Sequence, residues 1–277
     1  MKHLITVALL IFSVSVSASV NTSALSTSLT NDFSSDKIAL SYFGYISSQV
    51  SDVKQGDASF YSYNLVALGY RHDSRFTAAL RPTFTYDSKG LRYGTMMPAR
   101  TRWGDSSIDL VDRKPFEFES VKAKSVYRLI LPTDPLWVKA NTTGGLGASF
   151  EFTRNLGPGF SFGYFPKGFI LVQSKSIYES KPTQAGQLEQ WVRLNKYFGD
   201  KASISQGLGL KNMFYNAQTP AQEKRSDFTT LETLVNFDIG NHGTMSFGVT
   251  QEHPFAASLQ LYKDSETAYV LTTCFWL

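Results

Sequence analysis

Basic side chains recur at alternate positions in two stretches of the chain. Arg75 and Arg81 share a row with Thr77, Ala79, Thr83 and Thr85, opposite Phe76, Ala78, Leu80, Pro82, Phe84 and Tyr86. Lys122, Lys124 and Arg128 share a row with Val126 and Ile130, opposite Val121, Ala123, Ser125, Tyr127, Leu129 and Leu131. Lys139 and Arg193 extend the basic set, and Glu189, Glu232 and Asp238 add carboxylates later in the chain. Charges of both signs gathered on one enclosed wet face attract, order and select ions. A second chemistry is written locally in His72-Asp73-Ser74, where a hydroxyl nucleophile stands two residues from an imidazole base. No metal chemistry is indicated, since the four His are scattered. Cys274 is the only cysteine, so no internal disulfide forms. No phosphate loop is present either: Gly144-Gly145-Leu146-Gly147 is not followed by Lys-Ser/Thr. The chain is expected to work without a cofactor.

The elements that carry these charges are strands. Period-two alternation places successive side chains on opposite faces. The same pattern runs through Ala202 to Phe214, where Ser203, Ser205, Gly207, Gly209 and Lys211 oppose the apolar row, and through Leu231–Ile239 and Met245–Val249. Short polar turns fall at 71–74, 113–115, 154–159, 199–201 and 240–243, and longer polar connections lie between them. Counting gives about 12 strands, at roughly 37–48, 59–70, 75–86, 106–112, 116–131, 136–153, 160–172, 187–198, 202–215, 228–239, 244–251 and 267–277. An even count returns both ends to one side. Phe116 and Phe118 are out of phase with Val121 and Ala123, which implies a bulge near Ser120.

Composition agrees with this architecture. Charged residues make up 18% and aromatics 14% of the chain, and the net charge of +4 is too small and too dispersed for a nucleic-acid partner. No apolar run after the first residues is long enough for a membrane-spanning helix. Met1-Lys2-His3, the apolar run from Leu4, and the small residues Val16-Ser17-Ala18 have the three parts of a secretory signal, expected to be cut near Ala18. The Ser/Thr/Asn-rich stretch 19–36 is read as a disordered tail and 37–277 as the folded domain.

The end of the chain carries a resemblance. Tyr269, Leu271, Thr273, Phe275 and Leu277 alternate up to the carboxyl terminus. This resembles the C-terminal strand signal of Gram-negative outer-membrane β-barrels, which usually ends in Phe where this chain has Leu277. The resemblance implies a closed, all-β, antiparallel transmembrane barrel in the cell outer membrane. It also implies contact with outer-membrane lipid and with the barrel-assembly machinery. The charged row would then line the lumen, as would Cys274. Tyr61, Tyr63, Trp191 and Tyr197 would line a solute path or form interfacial girdles.

His72 and Ser74 resemble the His/Ser core of the outer-membrane phospholipase A family, in which the Ser is nucleophile, the His is base, and an Asn about a dozen residues later orients the His. The match stops there. Residues 83–90 hold no Asn, and Asp87 is the only acidic candidate. The chain is therefore read as a non-enzyme: a monomeric, passive, anion-leaning channel for small solutes or ions, with loops 87–105 and 173–186 shaping the mouth. The alternatives are a closed structural barrel whose loops bind a partner and, more remotely, a lipid hydrolase using Ser74 and His72.

Overall fold

The computed structural model describes residues 37–276, apart from 57, 93–94, 117, 119, 140, 175–176, 179–180, 217–224 and 256–262. The signal and tail expected at 1–36 lie outside the described residues. Twelve strands run in chain order: β1 (Ile38–Gln49), β2 (Tyr61–Arg71), β3 (Phe76–Arg81, resuming as Thr83–Asp87), β4 (Arg100–Trp103, resuming as Ser106–Asp112), β5 (Lys122–Leu131) and β6 (Thr142–Gly157). They continue as β7 (Phe160–Gln173), β8 (Gln184–Phe198), β9 (Ala202–Tyr215), β10 (Arg225–Asp238), β11 (Gly243–Pro254) and β12 (Thr267–Trp276). Each pairs antiparallel with its sequence neighbours. β1 pairs with both β2 and β12, so the sheet closes on itself and has no free edge.

Burial along the strands shows what surrounds this ring. In β9, Leu208 is 43% exposed while Ser205 is 5% exposed. The same inversion holds for Leu68, Leu80, Leu110, Leu129 and Ile170, all outward and exposed, against Thr77, Asp109 and Glu232, all inward and buried. A water-soluble sandwich would bury the leucines. An apolar exterior around a polar interior is the arrangement hydrocarbon demands, because a closed barrel also satisfies every ladder N–H and C=O internally.

The sequence set the strand ends less well than the strands themselves. The short segment expected at 106–112 is the lower half of a longer β4. Pro82 has no N–H to offer the ladder, and Gly104-Asp105 leave it opposite. The register accordingly shifts by one, from Arg81 facing Ser107 to Phe84 facing Trp103. Side chains bridge the gap: Thr83 Oγ1 donates to the Asp105 carbonyl at 2.7 Å, and Thr133 Oγ1 donates to the Gly104 carbonyl at 2.6 Å. The strand expected from 136 begins instead at Thr142. Pro135–Lys139 forms a short helix, α1, with proline at the position where its missing N–H costs least. The strand expected from 116 begins at Lys122. Phe116 folds over the outward rings of Phe150 and Phe152, each at 6.3 Å, which accounts for its broken phase.

All the short turns lie at one end of the barrel with Ile38 and Trp276. The longer connections lie at the other and carry the helices Val50–Gln55 and α1 and the small hairpin of Gly90–Arg92 with Thr95–Met97.

Candidate functional site in the barrel interior

Inward-facing residues follow from register. Ala79 on β3 faces Asp109 on β4, which faces Arg128 on β5. Asp109 receives both neighbouring guanidiniums. Arg81 Nη1 donates to Oδ2, and Arg128 Nε and Nη2 donate to Oδ1 and Oδ2 at 2.9 and 2.8 Å. One carboxylate thus holds two cations, and both Asp109 and Arg81 are 1% exposed. A second such cluster stands towards the long-loop end, where Asp87 takes Arg100 at 2.8 Å and Arg102 at 3.4 Å.

Further ion pairs continue around the ring. Lys124 faces Glu151 at 3.8 Å, Lys167 faces Glu189 at 2.5 Å, Arg193 faces Glu232 at 2.6 Å and Lys211 faces Glu252 at 2.6 Å. These are cross-strand neighbours on adjacent or next-adjacent strands, held level by the ladder. Desolvation offsets much of the attraction in such buried pairs, and removing one partner strands the other. Two guanidiniums on one carboxylate concentrate positive charge locally. This arrangement occurs at Asp109 and Asp87, on β3, β4 and β5.

The placements of the residues singled out by sequence divide into two groups. Arg81, Lys124, Arg128, Arg193, Glu189 and Glu232 lie inside the ring, on inward faces. The others stand at its ends. Arg75 lies in the turn before β3, where Asp112 holds it by two hydrogen bonds of 2.8 Å. Lys122 is exposed at the first residue of β5. Lys139 is exposed on α1, on no strand, because Pro135 starts a helix there. Asp238 ends β10 on the rim of a recess of about 790 Å³ at the short-turn mouth, shared with Asn155, Ser203 and Asn236.

Sequence reading named Glu189 and Glu232 but missed Asp109, Glu151 and Lys167. Asp109 alternates with Ser107 and Val111 against Ile108 and Leu110, a signal that was available in 106–112. Glu151 stands between the outward Phe150 and Phe152. Lys167 was harder, because its inward neighbours Phe165 and Phe169 are themselves apolar.

Aromatic and aliphatic side chains complete the interior. Phe43, Tyr45, Leu65, Val111, Val126, Leu234, Val270, Cys274 and Trp276 form one buried cluster, with Tyr61 and Tyr63 packed against it. Trp191 lies flat over Gly209, where an added Cβ would fall 2.6 Å from the indole. Its Nε1 donates to Glu189 at 3.1 Å. Gly209→Val should lift the indole off the wall into the lumen and weaken its bond to Glu189. The expected result is a red-shifted Trp emission with a lower single-channel current. An unchanged spectrum would show that the ring has room elsewhere.

The His72-Asp73-Ser74 segment does not assemble a catalytic group. His72 is exposed, and its Nε2 is 3.9 Å from Asp73. No hydrogen bond joins Ser74 to His72 among the described residues. Asp73 Oδ1 accepts the Arg75 and Phe76 backbone N–H groups at 2.7 Å each. These bonds hold its carboxyl below the usual range. That is the geometry of an Asx turn closing the β2–β3 hairpin. Asp87 is at the far end of β3 and held by Arg100 and Arg102.

A closed ring of twelve antiparallel strands, apolar outside and charged inside, is a transmembrane β-barrel of the outer-membrane type. Among solved structures, the chain is similar to the COG4313 outer membrane channel from Pseudomonas putida F1. The TM-score is 0.59 at 11% identity, covering 90% of this chain and 98% of that one. The NanC porin (TM-score 0.48, 8% identity, 85% and 98% covered) and the KdgM porin (0.46, 7%, 86% and 98%) resemble it more loosely. At these identities the likeness is one of fold. No protein-family model matches the chain, and no curated protein matches it in sequence.

Proposed function

We propose that this barrel is a passive channel for small solutes or ions with a preference for anions. It would sit as a monomer in a bacterial outer membrane, with its short turns in the periplasm. The observation that carries the reading is the doubled cation at Asp109, backed by Asp87 with Arg100 and Arg102. Fixed positive excess in a low-dielectric, narrow interior raises the local concentration of anions. Exposed apolar strands facing outward and a final strand of alternating Tyr269, Leu271 and Phe275 suit insertion through the barrel-assembly machinery.

The test is reversal potential in a KCl gradient across a planar bilayer. Arg81→Gln with Lys124→Gln should move it towards cation selectivity. Arg75→Gln should shift it much less, because Arg75 stands at the rim with Asp112. Equal shifts from both would place the selectivity at the mouth and end the case for the Asp109 cluster. A closed barrel whose loops bind a partner is the second reading, and the buried cluster around Phe43 favours it. Absence of conductance in any salt would decide for it.

A further inference from the structure

The charges are not spread evenly around the interior. Every strand from β3 to β11 turns at least one charged side chain inward. The three neighbours β12, β1 and β2 turn none inward until Arg71 at the end of β2. They present instead Val270, Trp276, Phe43, Tyr45, Tyr63 and Leu65. Small polar residues, Ser41, Ser47 and Thr272, lie between them, so the lumen has an uncharged, aromatic-rich arc facing a charged arc.

Arg81 stands at the seam. β3 pairs with β2, so Arg81 borders this arc, as Asp87 does opposite Tyr61, and Tyr63 lies within its electrostatic reach. Its side chain is only half used. Nη1 is held by Asp109, whereas Nε and Nη2 meet no acceptor among the described residues, although the residue is 1% exposed. Asp109 is already satisfied from the other side by the fork of Arg128. Two buried donors in the plane of one guanidinium, aimed away from their salt bridge, match the two oxygens of a carboxylate.

Resting on the channel reading above, we infer that the solute is a small organic acid with an apolar body. Its carboxylate sits on Arg81 and its body lies along the partly buried rings of Tyr61 and Tyr63, which pack against the cluster that holds Leu65. The two arcs exclude the simpler alternatives on physical grounds. A neutral hydrocarbon would leave the free donors of Arg81 without a partner. Chloride uses one arc only.

Benzoate, acetate and benzyl alcohol separate these cases in planar bilayers carrying a KCl current. Benzoate should reduce the chloride current at about a tenfold lower concentration than acetate, the factor that shielding part of a ring from water supplies. Benzyl alcohol, with the body but no carboxylate, should leave the current unchanged. Arg81→Gln should still conduct and should lose the discrimination between benzoate and acetate. Leu65→Thr, which leaves the ion pairs untouched, should weaken benzoate but not acetate, and it keeps the test open should Arg81→Gln fail to assemble. Equal block by benzoate and acetate in a conducting barrel overturns the organic-acid assignment and leaves the anion channel standing. Block by benzyl alcohol as strong as by benzoate overturns the role of Arg81. No current in any salt overturns the channel, and the assignment with it.

Discussion

Asp109→Ala should cost the barrel about 3–5 kcal/mol, or prevent its assembly, because it leaves two buried guanidiniums side by side with nothing between them. The geometry makes the effect larger than for any single pair in the ring. Arg81 is 1% exposed, and Arg128 reaches the same two oxygens by a fork at 2.8–2.9 Å. Loss of the carboxylate turns two attractions into one repulsion. The repulsion is felt in a narrow interior whose walls are protein and lipid, where screening by salt is weak. The measurement is the urea midpoint of the lipid-reconstituted barrel, followed by the loss of its compact, heat-modifiable form on gels. A compensating variant makes the cause explicit. Asp109→Ala combined with Arg128→Met leaves only one unpaired cation and should recover part of the loss. A single Asp109→Ala barrel as stable as the parent would mean that water in the lumen hydrates both guanidiniums. The cluster would then tune ions without holding strands. In whatever fraction assembles, anion preference should rise, since two cations remain uncompensated.

The same cluster shows why half of the site was legible in the sequence and half was not. Arg81, Lys124 and Arg128 stand in stretches whose other faces are largely apolar rows, so alternation alone turns them inward. Asp109 lies in a seven-residue segment flanked by Gly104-Asp105 and Arg113, which reads as an isolated short strand. Its partner segment, Arg100–Trp103, is separated from it by the bulge opposite Pro82 and reads as loop. Alternation also says nothing about where a strand stops. Arg75 keeps the parity of Arg81 but belongs to the turn that Asp73 caps, and its partner is Asp112 on the outward row. Lys139 follows an apolar Leu-Trp-Val run that suits strand or helix equally, and Pro135 decides for the helix. Pairing between strands was beyond reach for a different reason. Residues 28 and 19 positions from Asp109 become its partners only once the register of two hairpins is set. Register follows from bulges and turn lengths that alternation does not record. The division of the lumen into an uncharged and a charged arc is likewise a property of strand order around a closed ring. β12 and β2 are far apart in the chain and reach each other only through β1.

That closure puts Phe43 in a controlling position, and Phe43→Ala should increase single-channel conductance by about twofold or more. Phe43 is 0% exposed, on the middle strand of the uncharged arc, in a cluster that reaches Val111 and Val126 on one side and Leu234 on the other. Apolar side chains gathered from both arcs narrow the path and make the narrowest part hard to wet, so water and ions cross it reluctantly. Truncation to Ala removes a ring from that level without touching any ion pair. Selectivity should therefore stay with Arg81 and Lys124, while current rises at unchanged reversal potential. Stability should fall by about 3 kcal/mol, as for a phenyl ring deleted from a packed interior. Phe43→Leu should show less of both. The joint readout separates two roles for the cluster. If conductance rises while reversal potential holds, the cluster is the constriction and the charged arc is the filter. If Phe43→Ala folds and its conductance matches the parent, the constriction lies elsewhere, and the loops at the long-loop end become the place to look for it. If it folds and shifts the reversal potential instead, the uncharged arc takes part in choosing the ion. The seam at Arg81, where the two arcs meet, would then act as filter and constriction together.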